Sequence, residues 1–119
     1  MAKVSRFDFG SIVIDGKQYS YDVVVLPDGT IKEREASKAK FGGHTIGKAE
    51  IEELAKMKPE TVIVGTGTDG MATVSEDGQA YARGAKLNLV VLASSKAIEK
   101  LNQLTREGKR VAALIHITC

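Results

Sequence analysis

Apolar positions along this chain fall into short blocks of two kinds. Val62-Ile63-Val64 and much of Leu87 to Leu92 run without polar alternation, the pattern of strands covered on both faces, as parallel strands are. Ala97, Ile98, Leu101 and Leu104 recur instead at helical spacing, as do Ile51, Leu54 and Ala55 against Glu50, Glu52, Glu53 and Lys56. Before Lys48 the blocks are separated by tight turn signals. Ser11 to Ile14 predicts a strand, Asp15-Gly16 a type I′ turn, and Tyr19 to Leu26 the return strand. Pro27-Asp28-Gly29 predicts a second turn and Thr30 to Arg34 a third strand, the three forming an antiparallel meander. Met1 to Phe9 reads as a loose end.

Glu35 to Gly47 has no periodicity and reads as a long loop of lysine, glycine and small residues. A helix over Lys48 to Met57 follows, stopped by Pro59. The buried strand Thr61 to Val64 then runs into the glycine-rich turn Gly65-Thr66-Gly67-Thr68-Asp69-Gly70. Met71 to Val74 reads as a short extended piece, and Ser75 caps a helix with Glu76 and Asp77 in its first turn and Gly84 near its stop. Leu87 to Leu92 predicts a second buried strand, Ser94 or Ser95 the cap of a third helix closed by Gly108, and Arg110 to Ile117 the last strand. Strand, helix, strand, helix, strand with short links implies right-handed crossovers. The expected fold is α/β, with a largely parallel sheet and an N-terminal antiparallel three-stranded meander.

The 119 residues suit a single domain spanning 1–119. Hydrophobic residues make up 43% of the chain, yet no run approaches the ~20 that a membrane-spanning helix needs. No membrane association is expected. The first ten residues lack the apolar core of a secretory signal, so the expected location is the cytoplasm. Net charge is only +2, and the nearest approach to a basic cluster is Lys38, Lys40 and Lys48. With six aromatic residues in all, the chain shows no nucleic-acid footprint. Its single cysteine, Cys119, excludes an internal disulfide and a cysteine-based zinc site, and His44 and His116 alone do not complete a metal centre. Neither a metal nor a cofactor is expected.

The glycine turn matches the letters G-x-G-x-x-G after a strand, the start of a dinucleotide fingerprint. The context fails: such a turn opens into a long helix and is followed ~20 residues on by an acidic group, whereas Met71 to Val74 looks extended and Lys86 to Leu89 carries no acid. A weaker reading stands, in which the turn amides and the Thr66 and Thr68 hydroxyls hold an anion or small molecule at the carboxyl ends of the strands. The candidate ligand-binding set is Gly65, Thr66, Gly67, Thr68, Asp69 and Gly70, with Ser94 and Ser95 on the same rim and His44 from the long loop beside Gly42 and Gly43. A turn that uses glycine for geometry alone explains the same letters. Cys119 and His116, three apart on a strand, point to opposite faces, so no catalytic residue is assigned.

Phe9-Gly10, Pro27-Asp28-Gly29, His44 with Gly47, Val64-Gly65-Thr66-Gly67, Ala97, Asn102, Gly108 to Val111 and the ending His116-Ile117-Thr118-Cys119 together resemble the Mth-type domain family of uncharacterised function, found in archaea and bacteria. The resemblance covers nearly the whole chain and implies a three-layer α/β fold with a central mixed sheet. Its relatives include a mitochondrial complex I assembly factor and an adipogenesis-associated protein. They imply a domain that works by binding another protein rather than by turning over a substrate. The expected function is therefore a non-catalytic binding or assembly module. The alternative is a small-molecule or anion site at Gly65 to Gly70, open to enzymatic use. A homo-oligomer through the exposed strand Thr30 to Arg34 is opposed by its charges.

Overall fold

The computed structural model describes residues 2–35 and 44–119. Its first three strands, β1 (Val4–Asp8), β2 (Ser11–Ile14) and β3 (Lys17–Tyr19), form an antiparallel sheet in that order. Asp15 and Gly16 both take positive φ, 51° and 82°, as the predicted type I′ turn between β2 and β3 requires. The expected loose end is thus a strand. β1 is held from both sides, by β2 and by Asn102, whose side chain accepts from Val4 N–H at 3.0 Å and donates to Val4 C=O at 2.8 Å.

The expected return strand Tyr19 to Leu26 is two strands in two sheets. After β3 the chain breaks at Ser20 to Asp22, and β4 (Val23–Val25) leaves for the central sheet with β5 (Ile31–Glu33) as its hairpin partner. The three-stranded unit is therefore β1-β2-β3 rather than the meander the turns suggested. All three valines of β4 are buried, a run that only a doubly covered strand can satisfy.

Thr45–Ile46 (β6) precedes α1 (Lys48–Ala55) and pairs in parallel with β8 (Thr73–Val74). It lies within the stretch expected to be loop, whose residues 36–43, including Lys38, Lys40, Gly42 and Gly43, fall outside the described residues. β7 (Thr61–Thr66), α2 (Glu76–Gly84), β9 (Leu89–Leu92), α3 (Ser94–Arg106) and β10 (Val111–His116) complete the chain. The central sheet has the order β5-β4-β10-β7-β9. Strands β5, β10, β7 and β9 run one way and β4 the other, as the antiparallel pairs β5·β4 and β4·β10 and the parallel pairs β10·β7 and β7·β9 require.

Alternation along the inner strands divides the core into two. Ile63, Val111, Ala113 and Ile115 face α3 and the three-stranded sheet, where they meet Ile12, Ile14, Ala97 and Leu101. Val62, Val64, Ala112 and Leu114 face α1, α2 and the β6·β8 pair, where they meet Ile46, Ile51, Leu54 and Ala82. The result is the expected three layers. Two details differ from the pattern. Glu50, placed on the solvated face of α1, is buried, and β9 is a half-buried edge strand rather than an inner one. Among the described residues no helix is long and apolar enough to cross a membrane.

Candidate functional site

The topology collects five chain segments at one rim of the sheet. The carboxyl ends of β7, β9 and β10 meet there, since Thr66 pairs with His116 and Gly65 with Leu92. Antiparallel β4 brings its beginning to the same place, and Arg34 follows β5 beside it. In open α/β sheets ligands gather at this end.

The glycine turn sits at the rim, but most of its donors are already engaged. Gly67 N–H donates to Ser94 Oγ (2.8 Å), Thr68 N–H to Thr118 C=O (2.7 Å), Gly70 N–H to Gly67 C=O (3.2 Å) and Met71 N–H to Cys119 C=O (3.0 Å). The Thr66 hydroxyl donates to Leu92 C=O and the Thr68 hydroxyl to Thr118 C=O. Glycine is needed at two positions for close approach. A Cβ on Gly65 would lie 2.8 Å from Ser94 Oγ, and one on Gly67, where φ is +103°, would lie 2.6 Å from the Cys119 carbonyl. The turn opens into β8, not a helix, which removes the setting of a dinucleotide site.

Ser94 is the first residue of α3 rather than its cap, which is Ala93. Its hydroxyl is buried, accepting from Gly67 N–H and donating to His116 C=O at 2.6 Å. Ser95 and Asp69 lie exposed. His44 joins the rim from the end of the long loop: its Nε2 is 3.5 Å from Cys119 Sγ, and its ring packs edge-on to His116, centroids 5.4 Å apart. The structure thus brings His44, Gly67 and Ser94 together around residues 116–119 and leaves Asp69 and Ser95 at the surface. His116 and Cys119 both touch His44, and because β10 ends at His116 the alternation expected of a continuous strand does not extend to Cys119.

Behind these groups lies a buried charge network that the sequence reading missed. His116 Nδ1 is 2.7 Å from Asp22 Oδ2, and Asp22 Oδ1 accepts from Ile117 N–H at 2.9 Å. Arg34 donates to Asp22 Oδ2 (3.0 Å), to both oxygens of Glu50 (2.5 and 2.8 Å) and to Thr45 C=O (3.1 Å). Burial pushes the Asp22 carboxyl up, but the hydrogen bonds and charge from His116, Ile117 N–H and Arg34 outweigh it and hold it below the usual carboxylate value. Burial likewise opposes the Arg34 charge, and Glu50 and Asp22 more than restore it. Because an ionised Asp22 only accepts, the His116 Nδ1–H donates to it, and Nε2 lies 3.2 Å from the Thr118 hydroxyl. No local signal marked this set, whose members come from α1, β10 and the residues flanking β4 and β5.

To one side of the rim, an open groove of 730 Å³ runs between β9 and α2, lined among others by Gly70, Val74, Ala82, Arg83, Leu89 and Val91. Among the described residues no cluster of His, Cys, Asp and Glu could hold a metal ion.

Comparison with known proteins agrees with this architecture. The solved structure of a protein named MT938 is 34% identical over 100% of both chains, with a TM-score of 0.84. The conserved hypothetical protein PH1505 from Pyrococcus horikoshii OT3 is 30% identical over 98% of this chain and 99% of its own, with a TM-score of 0.82. A Bordetella pertussis protein described as a Mth938-like domain is similar in fold alone, at 17% identity, 98% and 85% coverage and a TM-score of 0.72. The Mth-type resemblance read from the sequence is therefore borne out. The model of a family described as protein of unknown function, DUF498/DUF598, matches residues 4–116, and the chain belongs to that family.

Proposed function

We propose that the protein is a non-catalytic binding module that takes an extended segment of a partner protein as an added strand beside β9. The observation that carries this is the contrast between the two edges of the central sheet. At one edge β5 reads Ile31-Lys32-Glu33, and Lys32 pairs with Glu35 and Glu53. Charges of this kind keep an edge from pairing. At the other edge β9 reads Leu89-Val90-Val91-Leu92, with neither charge nor proline, and Val91 is 42% exposed. A segment laid along it would bond to the β9 backbone and set alternate side chains into the groove, whose apolar lining is bordered by Gln79, Arg83 and Asn88. The assembly-factor relative implied by the sequence resemblance supports the same class of function.

The alternative, an anion or small molecule at Gly65 to Gly70, is supported less well, because the amides of Gly67, Thr68, Gly70 and Met71 already donate within the chain. Selecting linear peptides from a displayed library against the folded protein tests the proposal. Bound peptides are expected to shift the amide resonances of Leu89 to Leu92, and Val91→Lys to weaken them at least about tenfold, or ~1.4 kcal/mol. Peptides that map elsewhere or ignore Val91→Lys would overturn it, as would a dimer in native mass spectra that Val91→Lys dissolves. A small molecule retained in those spectra and lost with Gly67→Val would instead favour the turn site.

A further inference from the structure

His44 and Cys119 are 75 residues apart in the sequence, yet one short segment holds both. Met71 N–H donates to Cys119 C=O and Thr73 N–H to His44 C=O, each at 3.0 Å, and Thr45 continues from His44 into the β6·β8 pair. Gly67 leaves room for the Cys119 backbone to press against the turn. With both backbones fixed, Cys119 Sγ lies within hydrogen-bond reach of His44 Nε2. The His44 ring in turn rests at 73° on His116, which is 4% exposed and clamped by Asp22, itself held by Ile117 N–H and Arg34. A nucleophile beside a base whose orientation a further group restricts is the arrangement of an activated thiol. His44 is exposed and Cys119 half-exposed, so a reagent reaches the pair from solvent.

We propose that Cys119 and His44 form a thiol–imidazole dyad that exchanges with low-molecular-weight disulfides, making Cys119 a site of reversible mixed-disulfide formation. His44 Nε2 takes the thiol proton as Sγ attacks one sulfur of the disulfide R–S–S–R. The Sγ–S bond forms, the S–S bond breaks, and the departing R–S⁻ leaves with the electron pair and recovers the proton from His44. Cys119 is oxidised to the disulfide level while one reagent sulfur is reduced to a thiol, so the net products are Cys119–S–S–R and R–SH. An excess of thiol reverses the step. The dyad shares no residue with β9 or its groove and stands whether or not a partner strand docks there.

The test follows adduct formation between the full chain and hydroxyethyl disulfide near pH 7 by intact mass. One adduct, absent in Cys119→Ser, is expected, forming about 10²-fold more slowly in His44→Gln, the scale of a positioned base. In urea both chains should react alike, which separates the imidazole's effect from any intrinsic change at the thiol. A second comparison needs no variant: folded wild type should react faster than urea-unfolded wild type. Equal rates folded and unfolded, or a folded His44→Gln as fast as wild type, would show an ordinary surface thiol and overturn the proposal.

Discussion

Replacing Glu50 with leucine leaves Arg34 inside the protein without its bidentate partner. Both side chains are nearly dry, 5% and 3% exposed, and two of the Arg34 donors end on the Glu50 carboxylate at 2.5 and 2.8 Å. Removing one member of such a pair costs about 3–5 kcal/mol, because the remaining charge keeps its desolvation penalty. The bonds from Arg34 to Asp22 and to Thr45 C=O survive and argue for the lower half of that range. At this chain length ~1 kcal/mol corresponds to ~4 °C in Tm, so Glu50→Leu should lower Tm by about 12–16 °C. The loss is a large part of the ~5–15 kcal/mol that holds a domain together.

Urea denaturation followed by circular dichroism measures the effect, with an unchanged m-value marking a true stability change. The sharper form is a double-mutant cycle with Arg34→Met. Removing both charges should cost far less than the sum of the single losses, with a coupling of about 2 kcal/mol or more. Since the pair is buried, added salt should leave that coupling nearly intact. A single loss under ~1 kcal/mol, or a cycle additive within ~0.5 kcal/mol, would refute the claim that this network is a fixed internal brace.

Gly67→Ala combines a Cβ at positive φ with a 2.6 Å clash against the Cys119 carbonyl and should cost about 2–6 kcal/mol in urea midpoint terms. Exposed Asp69→Ala should stay within ~0.5 kcal/mol, and comparable effects at the two positions would contradict the packing role of the glycine. The pH dependence of Asp22→Asn has a definite sign. Because the folded carboxyl lies below its usual ~3.9, the ionised group contributes its full stability above that value and loses it as pH falls through the folded value. The stability gap between wild type and Asp22→Asn should therefore narrow below pH ~3.9 in acid titrations at fixed urea. A gap that widens there would contradict the assignment.

The elements visible in the sequence are those whose reason is local. β7 and α3 show their burial in their own spacing, and Asp15-Gly16 carries the geometry of its turn. What was hidden depends on distant partners. β1 is a strand because Asn102 and β2 receive it, and nothing within Val4 to Asp8 says so. The break between β3 and β4 falls at Asp22, whose carboxylate is claimed by His116 and Ile117 from the far end of the chain. Beside Glu52 and Glu53, Glu50 reads as surface, and only the arrival of Arg34 from β5 explains its burial. The rim was legible, as was the glycine requirement at Gly65 and Gly67. Their reason was not, because the atoms that crowd them belong to Ser94 and Cys119.

The rim and the β9 edge differ in what a ligand would have to displace. At the rim, the carbonyls of Thr118 and Cys119 already occupy the Thr68 and Met71 amides, Ser94 Oγ occupies that of Gly67, and no described buried side-chain polar atom lacks a partner. An anion that took the Gly67, Thr68, Gly70 or Met71 amide must break a bond for each one it makes there, so its net gain from them is small against the desolvation it suffers. A sheet edge is the opposite case, since pairing on one side only leaves alternate backbone groups pointing outward whatever the side chains do. Among the described residues β9 pairs with β7 alone and carries four apolar side chains, two features that one added strand would stabilise together. The network behind His116 then has a natural role as a rigid floor. It ties the residue before β4, the residue after β5, the end of β10 and the first turn of α1 to one another through Asp22, Arg34, His116 and Glu50.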